Sequence, residues 1–354
     1  MSAAAFARNY SEARAKFRAA SESAGGRLES FTHPLSGPDG VPLGVDVARH
    51  GPERAEKLLV TISGTHGVEG FCGSGVQVAW LGERQALPPG IALLQIHAIN
   101  PHGFAWLRRV TEENIDLNRN FADFARPPEN AHYDAIHAKL CPSTWDDSTP
   151  DAINRALDAH QEAHGGLQAI YLGQYSHADG LFYGGRSPTW SHRLLKDLFA
   201  RHAAGARLAV VLDYHSGLGP RGHGVRFCDN PPGSAGWLLV EQWLGRDLIS
   251  SYSDPSLAPV LHGIMHEGLT QVAGDTLVLT LSLEFGTLPL RDVGIALAAD
   301  NWLHQHGMLD SPQGRAIKAR IREAFYGDDA AWKEAVLSRS FETLGRLLSG
   351  LAEV

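Results

Sequence analysis

The sequence is poor in cysteine, has no excess of positive charge and contains no long apolar run, and each shortage removes a class of function. Its three cysteines, Cys72, Cys141 and Cys228, are scattered through 354 residues and never stand as C-x-x-C. A disulfide framework and a thiolate zinc site are therefore not expected, and reduced thiols in a cytoplasmic protein fit better. Lys and Arg number 31 against 39 Asp and Glu, giving a net charge of -8 with no basic run. A nucleic acid or an anionic membrane would want a basic footprint, so neither partner is expected. The first 26 residues carry charges every few positions and lack the apolar core of a signal peptide. No later stretch reaches the roughly 18 apolar residues of a membrane span. A soluble, cytoplasmic protein is the expectation. G-x-S-x-G and G-x-x-x-x-G-K-[ST] are also missing, which removes the nucleophile-elbow and phosphate-loop readings.

What is present is ordinary globular composition, 44% hydrophobic and 20% charged, with 18 histidines as the one unusual count. That number alone decides nothing, but it directs attention to histidines beside carboxylates at strand ends. Buried strands are predicted at 57–63, 91–97, 207–214 and 276–283, with further strands near 27–33, 42–49 and 167–172. Helices are predicted over 3–23, 70–83, 130–139, 151–164, 189–203, 234–247 and 291–306, with two more within 312–349. Near-continuous apolar strands alternating with helices imply one α/β domain: a mixed, mostly parallel sheet with helices on both faces. No linker or repeat divides the chain, so residues 1–354 read as a single domain. Its core runs from about 57 to 306, with a helical C-terminal extension over 312–349.

Polar clusters follow several of these strands, and in open α/β sheets functional groups gather at the carboxyl ends of strands. Gly64-Thr-His66-Gly-Val-Glu69-Gly70 comes directly after the strand at 57–63. An H-x-x-E on a loop lets an imidazole and a carboxylate turn toward one point, and both are good zinc ligands. Ala209-Val-Val-Leu-Asp213-Tyr-His215-Ser-Gly217 again ends a buried strand in a histidine, with Asp213 placed to hydrogen-bond the ring of a ligand histidine. Asn118 and Arg119, within Asn114-Ile-Asp-Leu-Asn-Arg-Asn-Phe121, suit a carboxylate clamp because guanidinium offers a planar fork of donors. Glu284 ends a run so apolar that a carboxylate there needs a partner or a task, and activating a metal-bound water would supply both. Each cluster alone has a plain alternative: a solvated turn, a strand-end histidine bonded to a carbonyl, a capped surface loop.

Taken together and in this order, these residues resemble the zinc carboxypeptidase superfamily. They look closest to its bacterial branch grouped with aspartoacylases and succinylglutamate desuccinylases. The matching pieces are His66 and Glu69, Asn100-Pro101, Arg109, Asp116-Leu-Asn118-Arg119-Asn-Phe121, His215-Ser-Gly217 and Glu284, spanning roughly residues 57 to 290. The resemblance implies one zinc ion per chain held by His66, Glu69 and His215, and a substrate carboxylate gripped by Asn118 and Arg119. It further implies an oxyanion stabilised by Arg109, with Arg108 as the alternative, and Glu284 as general base and then general acid. The digestive-type members' mobile tyrosine has no clear counterpart, since Tyr252 lacks a recognisable motif and is not assigned. Residues 122–206 hold a polar, aromatic, glycine-rich stretch from Gln174 to Gly185 that reads equally as a pocket wall or as a surface loop.

The expected activity is metal-dependent cleavage of an amide in a small molecule or short peptide bearing a carboxylate. An N-acyl amino acid deacylase is the alternative within hydrolases, and a non-catalytic metal- or ligand-binding protein the alternative outside them. Gly217-Leu-Gly-Pro-Arg-Gly222 matches G-x-G-x-x-G after a strand. The residues beyond it read as extended, though, and a dinucleotide phosphate needs a helix start there. Oligomeric state is not legible.

Overall fold

The computed structural model describes residues 3–83, 85–164, 167–245, 247–250 and 262–354; Tyr252 lies outside them. In chain order the elements begin with α1 (Tyr10–Ser23), β1 (Arg27–Ser36), β2 (Pro42–His50), β3 (Lys57–Ser63), α2 (Gly70–Gly82), β4 (Ile91–His97) and α3 (Pro101–Ala105). Next come α4 (Ala131–Leu140), α5 (Thr149–His164), α6 (Gln168–Tyr171), α7 (Trp190–His202), β5 (Leu208–Arg221), β6 (Gly224–Cys228), α8 (Ala235–Leu244) and β7 (Ile249–Ser250). The chain continues with α9 (Met265–Val272), β8 (Leu277–Gly286), α10 (Leu290–His306), α11 (Pro312–Phe325) and α12 (Ala330–Glu353).

The strands form one eight-stranded sheet in the order β1-β2-β4-β3-β5-β8-β6-β7. Its centre, β4-β3-β5-β8, is parallel, while β1, β2 and β6 pair antiparallel with their neighbours nearer the middle. Every residue of β3 and β4 is buried, as expected of strands covered on both faces. Side chains alternate along them. Leu59, Val210 and Leu212 pack with α2, α8 and α12, whereas Leu58, Val60, Ala209 and Val211 pack with α7 and α9. The fold class read from the sequence is therefore the observed one.

Three expectations change. The mostly apolar run at 167–172 is not a strand but contains the short helix α6, since so short a run fits either conformation and periodicity cannot decide. The predicted helix over 3–23 breaks: a 3-10 turn at Ala3–Ala5 precedes α1, whose start Asn9 caps by accepting from Glu12 N. The core also reaches beyond 57–306. β1 and β2 belong to the sheet, and α12 buries Trp332, Leu337, Leu344 and Leu347 in the same cluster as Leu59 and Leu212. No helix among the described residues is long and apolar enough to cross a membrane.

Candidate metal centre

His66 stands three residues past the end of β3, and its turn is fixed by a very close backbone approach. A Cβ on Gly67 would lie 2.0 Å from Gly103 C, so α3 can pass here against a glycine alone. Asn100 starts that helix by accepting from Gly103 N at 2.9 Å. Gly67 N and Val68 N then donate to the carbonyls of Arg109 and Arg108, at 3.1 and 2.8 Å. These two bonds tie the H-x-x-E turn to the arginine loop.

β5 delivers His215 and β8 delivers Glu284. The two are direct partners in the parallel ladder, so their side chains leave the same face of the sheet. His66 Nδ1 lies 3.0 Å from Glu69 Oε1, His215 Nδ1 lies 3.1 Å from Glu69 Oε2, and the two Nδ1 atoms are 3.2 Å apart. One donor atom from each of His66, Glu69 and His215 thus falls within 4.8 Å of the other two, and all three residues are buried.

The far nitrogen of each ring is held by a carboxylate. His66 Nε2 donates to Asp116 Oδ1 at 3.1 Å, and His215 Nε2 donates to Asp213 Oδ2 at 2.6 Å, with Thr65 Oγ1 donating to Asp213 Oδ1 at 2.9 Å. Those bonds leave each Nδ1 lone pair aimed at the shared centre, the arrangement that ligand histidines require. Asp116 does more than the sequence reading allowed. It also accepts from Arg109 Nε at 2.9 Å and from Asn118 N at 3.0 Å. Sequence reasoning quoted Asp116 inside a motif but gave it no role, because its partner lies fifty positions away.

Arg109 reaches the centre, donating from Nη1 to Glu69 Oε1 at 3.3 Å, with its guanidinium carbon 5.6 Å from the Phe182 ring centroid. Arg108 turns away into a separate buried pair, donating to Asp300 at 3.2 Å and to Asn114 at 2.8 Å. Of the two arginines, then, Arg109 faces the site. Arg119 is buried and already donates to the carbonyls of Asn118 and Tyr171, at 2.8 and 2.9 Å, while its Nε has no partner among the described residues. Asn118 Oδ1 accepts from Met265 N at 2.9 Å. The stretch from Gln174 to Gly185 packs against these groups and so walls the site. Tyr175 donates to the Arg119 carbonyl at 2.6 Å, and the Tyr183 carbonyl accepts from Asp116 N at 2.8 Å. Phe182, with φ of 55°, holds its ring under Arg109 in a conformation few non-glycine residues adopt.

Charge decides what this cluster wants. Glu69, Asp116, Asp213 and Glu284 bring four carboxylates, against the guanidinium groups of Arg109 and Arg119. Burial opposes ionisation of Glu69, yet the neighbouring His66 and His215 rings hold it below the usual carboxylate range. Burial likewise opposes the charged form of His215, but Asp213 and Glu69 raise it well above an ordinary imidazole. Glu284 goes the other way: burial, aided by Glu69, pushes it up to about 7. Its Oε2 is buried and has no hydrogen-bond partner among the described residues. Two carboxylates driven apart in this way suit different jobs, one as a permanent anion and one as a proton carrier. A divalent cation fits the residues present. The donor set of two imidazoles and a carboxylate is that of catalytic zinc sites, and an orphaned carboxylate oxygen stands beside the centre.

The fold and this site define a class, an α/β protein with a two-histidine, one-carboxylate cluster at the carboxyl ends of its central parallel strands. The chain belongs to the family described as protein of unknown function DUF2817, whose model matches residues 6–339. No curated protein matches the sequence. Among solved structures it is similar to thrombin activatable fibrinolysis inhibitor, at 13% identity over 98% of this chain and 74% of that one, with a TM-score of 0.47. It is also similar to carboxypeptidase A from Helicoverpa armigera, at 14% identity over 90% of this chain and 74% of that one, with a TM-score of 0.43. A third is the succinylglutamate desuccinylase from Chromobacterium violaceum, at 16% identity over 89% of this chain and 74% of that one, with a TM-score of 0.36.

Proposed function

We propose that this protein is a zinc-dependent hydrolase of an amide bond in a small substrate that carries a carboxylate. The observation that carries this reading is the convergence of His66 Nδ1, Glu69 and His215 Nδ1, each imidazole oriented by its own aspartate, beside a carboxylate with an unsatisfied oxygen. His66, Glu69 and His215 would hold the ion. When bound, zinc supplies Lewis acidity and lowers the pKa of a coordinated water toward neutrality.

The remaining work falls to side chains. Glu284 takes the proton of the attacking water and passes it to the leaving nitrogen, and its raised pKa suits both halves of that transfer. Arg109 offers a fixed positive charge to the oxyanion that forms on the scissile carbonyl. Asp116 and Glu69 hold that guanidinium in place before substrate arrives. Asn118 and Arg119 bind the substrate carboxylate. Arg119 enters this role with two of its donors already spent on backbone carbonyls, which fixes its plane.

The test is elemental analysis of the purified chain, followed by a hydrolysis panel of dipeptides and N-acyl amino acids with and without chelator. Zinc at the site and chelator-sensitive release of an amine from one of the two substrate sets are expected. Hydrolysis that survives complete metal removal would sink the reading.

A further inference from the structure

A second group of imidazoles lies on the helices of the 122–206 segment, and the centre above makes no use of it. His160 and His164 stand one turn apart at the end of α5, and His132 faces them from the first turn of α4. Each offers one ring nitrogen within 4.8 Å of the other two. Ring centroids are 4.4 Å apart for His160–His164, 4.9 Å for His132–His164 and 5.7 Å for His132–His160.

His160 is the informative member. The buried face of α5 consists of Ile153, Leu157 and His160, so an imidazole fills a core position of an amphipathic helix. It is 7% exposed, and its Nε2 is buried with no hydrogen-bond partner among the described residues. Leaving a polar nitrogen in that state is costly unless something binds it. Burial first, and then the His164 and His132 rings, hold it below an ordinary imidazole, so it stands neutral with its lone pair available. No carboxylate is among the groups that act on it.

From this geometry we propose that His132, His160 and His164 form a second metal site, one that takes a transition-metal dication and clamps α4 to α5. Three imidazoles suit zinc, nickel or copper and offer nothing to magnesium or calcium, which take oxygen donors. Zn–N bonds of about 2.0–2.1 Å put tetrahedral donors roughly 3.3 Å apart, and the three nitrogens already lie within 4.8 Å of one another. His132 and His164 are exposed, which leaves solvent at the remaining coordination position. The clamp would bear on the first centre at a distance. α4 carries Tyr133, whose hydroxyl accepts from Leu181 N at 2.6 Å and braces the wall that holds Phe182 under Arg109.

The experiment is equilibrium dialysis of the full chain against zinc, with metal counted per chain. It compares the wild type with His132→Gln/His164→Gln, both substitutions falling at the surface. The double variant is expected to bind one zinc fewer, whatever the His66–Glu69–His215 cluster holds, with an unchanged circular dichroism spectrum. Each single variant should weaken that one equivalent at least about tenfold. An equal zinc count in wild type and double variant overturns the proposal. So does a second equivalent that magnesium fills as readily as zinc.

Discussion

Two of the three-residue donor groups among the described residues are built on opposite plans. His66 and Glu69 come from the turn after β3 and His215 from β5, about 150 positions on; the group includes a carboxylate and has both rings oriented by aspartates. His132, His160 and His164 come from adjacent helices, contain imidazoles alone, and have one buried nitrogen without a partner. A sheet edge with a second layer of hydrogen bonds fixes donors in advance and leaves room for a general base. A helix pair brings donors together cheaply but fixes them loosely. The first plan suits chemistry and the second suits holding two helices together.

The sharpest way to break this contrast is to remove Glu284, which has no counterpart beside the helical cluster. Glu284→Gln keeps the shape of the site and deletes the carboxylate proposed to carry the proton. Turnover should fall by about 10²–10⁴-fold while zinc content stays at the wild-type value. Steady-state kinetics beside elemental analysis reads both. A variant that loses its metal and its activity together would make Glu284 a ligand instead of a base. Next in size is Arg109→Ala, expected to lower kcat by about 10²–10³-fold if its charge meets the oxyanion. An unchanged kcat with a raised KM would place Arg109 in ground-state binding.

Orientation by carboxylates is a further difference, and it predicts a smaller effect. Asp213→Asn removes the anion that holds His215 Nε2 at 2.6 Å, and metal affinity at the first centre should drop by about 10–100-fold. Competition with a chromogenic chelator measures this. The zinc equivalent at His132, His160 and His164 should not move, because Asp213 does not touch those rings. A loss of both equivalents would mean that the substitution damages the fold.

The same contrast explains what could be read in advance. β3, β5 and β8 carry apolar runs over 57–63, 208–212 and 277–283, which made the positions of His66, His215 and Glu284 legible, although β5 continues past His215 to Arg221 where a turn was expected. The link from Asp213 to His215 spans two residues and was legible too. The link from Asp116 to His66 crosses a loop, and no local pattern announces it. Nor does any pattern reveal that Arg119 donates to the Tyr171 carbonyl, or that Arg108 is spent on Asp300. The i, i+4 spacing of His160 and His164 stands in the sequence, but their meeting with His132 depends on how α4 packs on α5. Pairings between distant segments are decided by packing, and packing is not periodic.

A third kind of histidine completes the comparison, one that is buried for stability and carries no donor duty. His97 is fully buried at the end of β4, where its ring stacks on Phe17 with centroids 4.6 Å apart and its Nε2 lies 2.9 Å from Ser74 Oγ. Burial pushes it down to about 4, the nearby Asp46 working against that shift and Arg14 with it. An unfolded chain binds this proton near pH 6.5, so the native state holds fewer protons between the two values. Stability from this site is therefore intact above pH 6.5 and declines as pH falls, with the full penalty reached below about 4. Between pH 7 and pH 5 the loss from one such group is about 2 kcal/mol. Denaturant unfolding at both pH values should show that gap narrowing by the same amount in His97→Gln. His215 shifts in the opposite direction and cannot produce an acid loss of this sign. An unaltered gap in the variant would move the acid sensitivity to buried His192 and half-buried His102 and His304, each of which burial pushes below an ordinary imidazole.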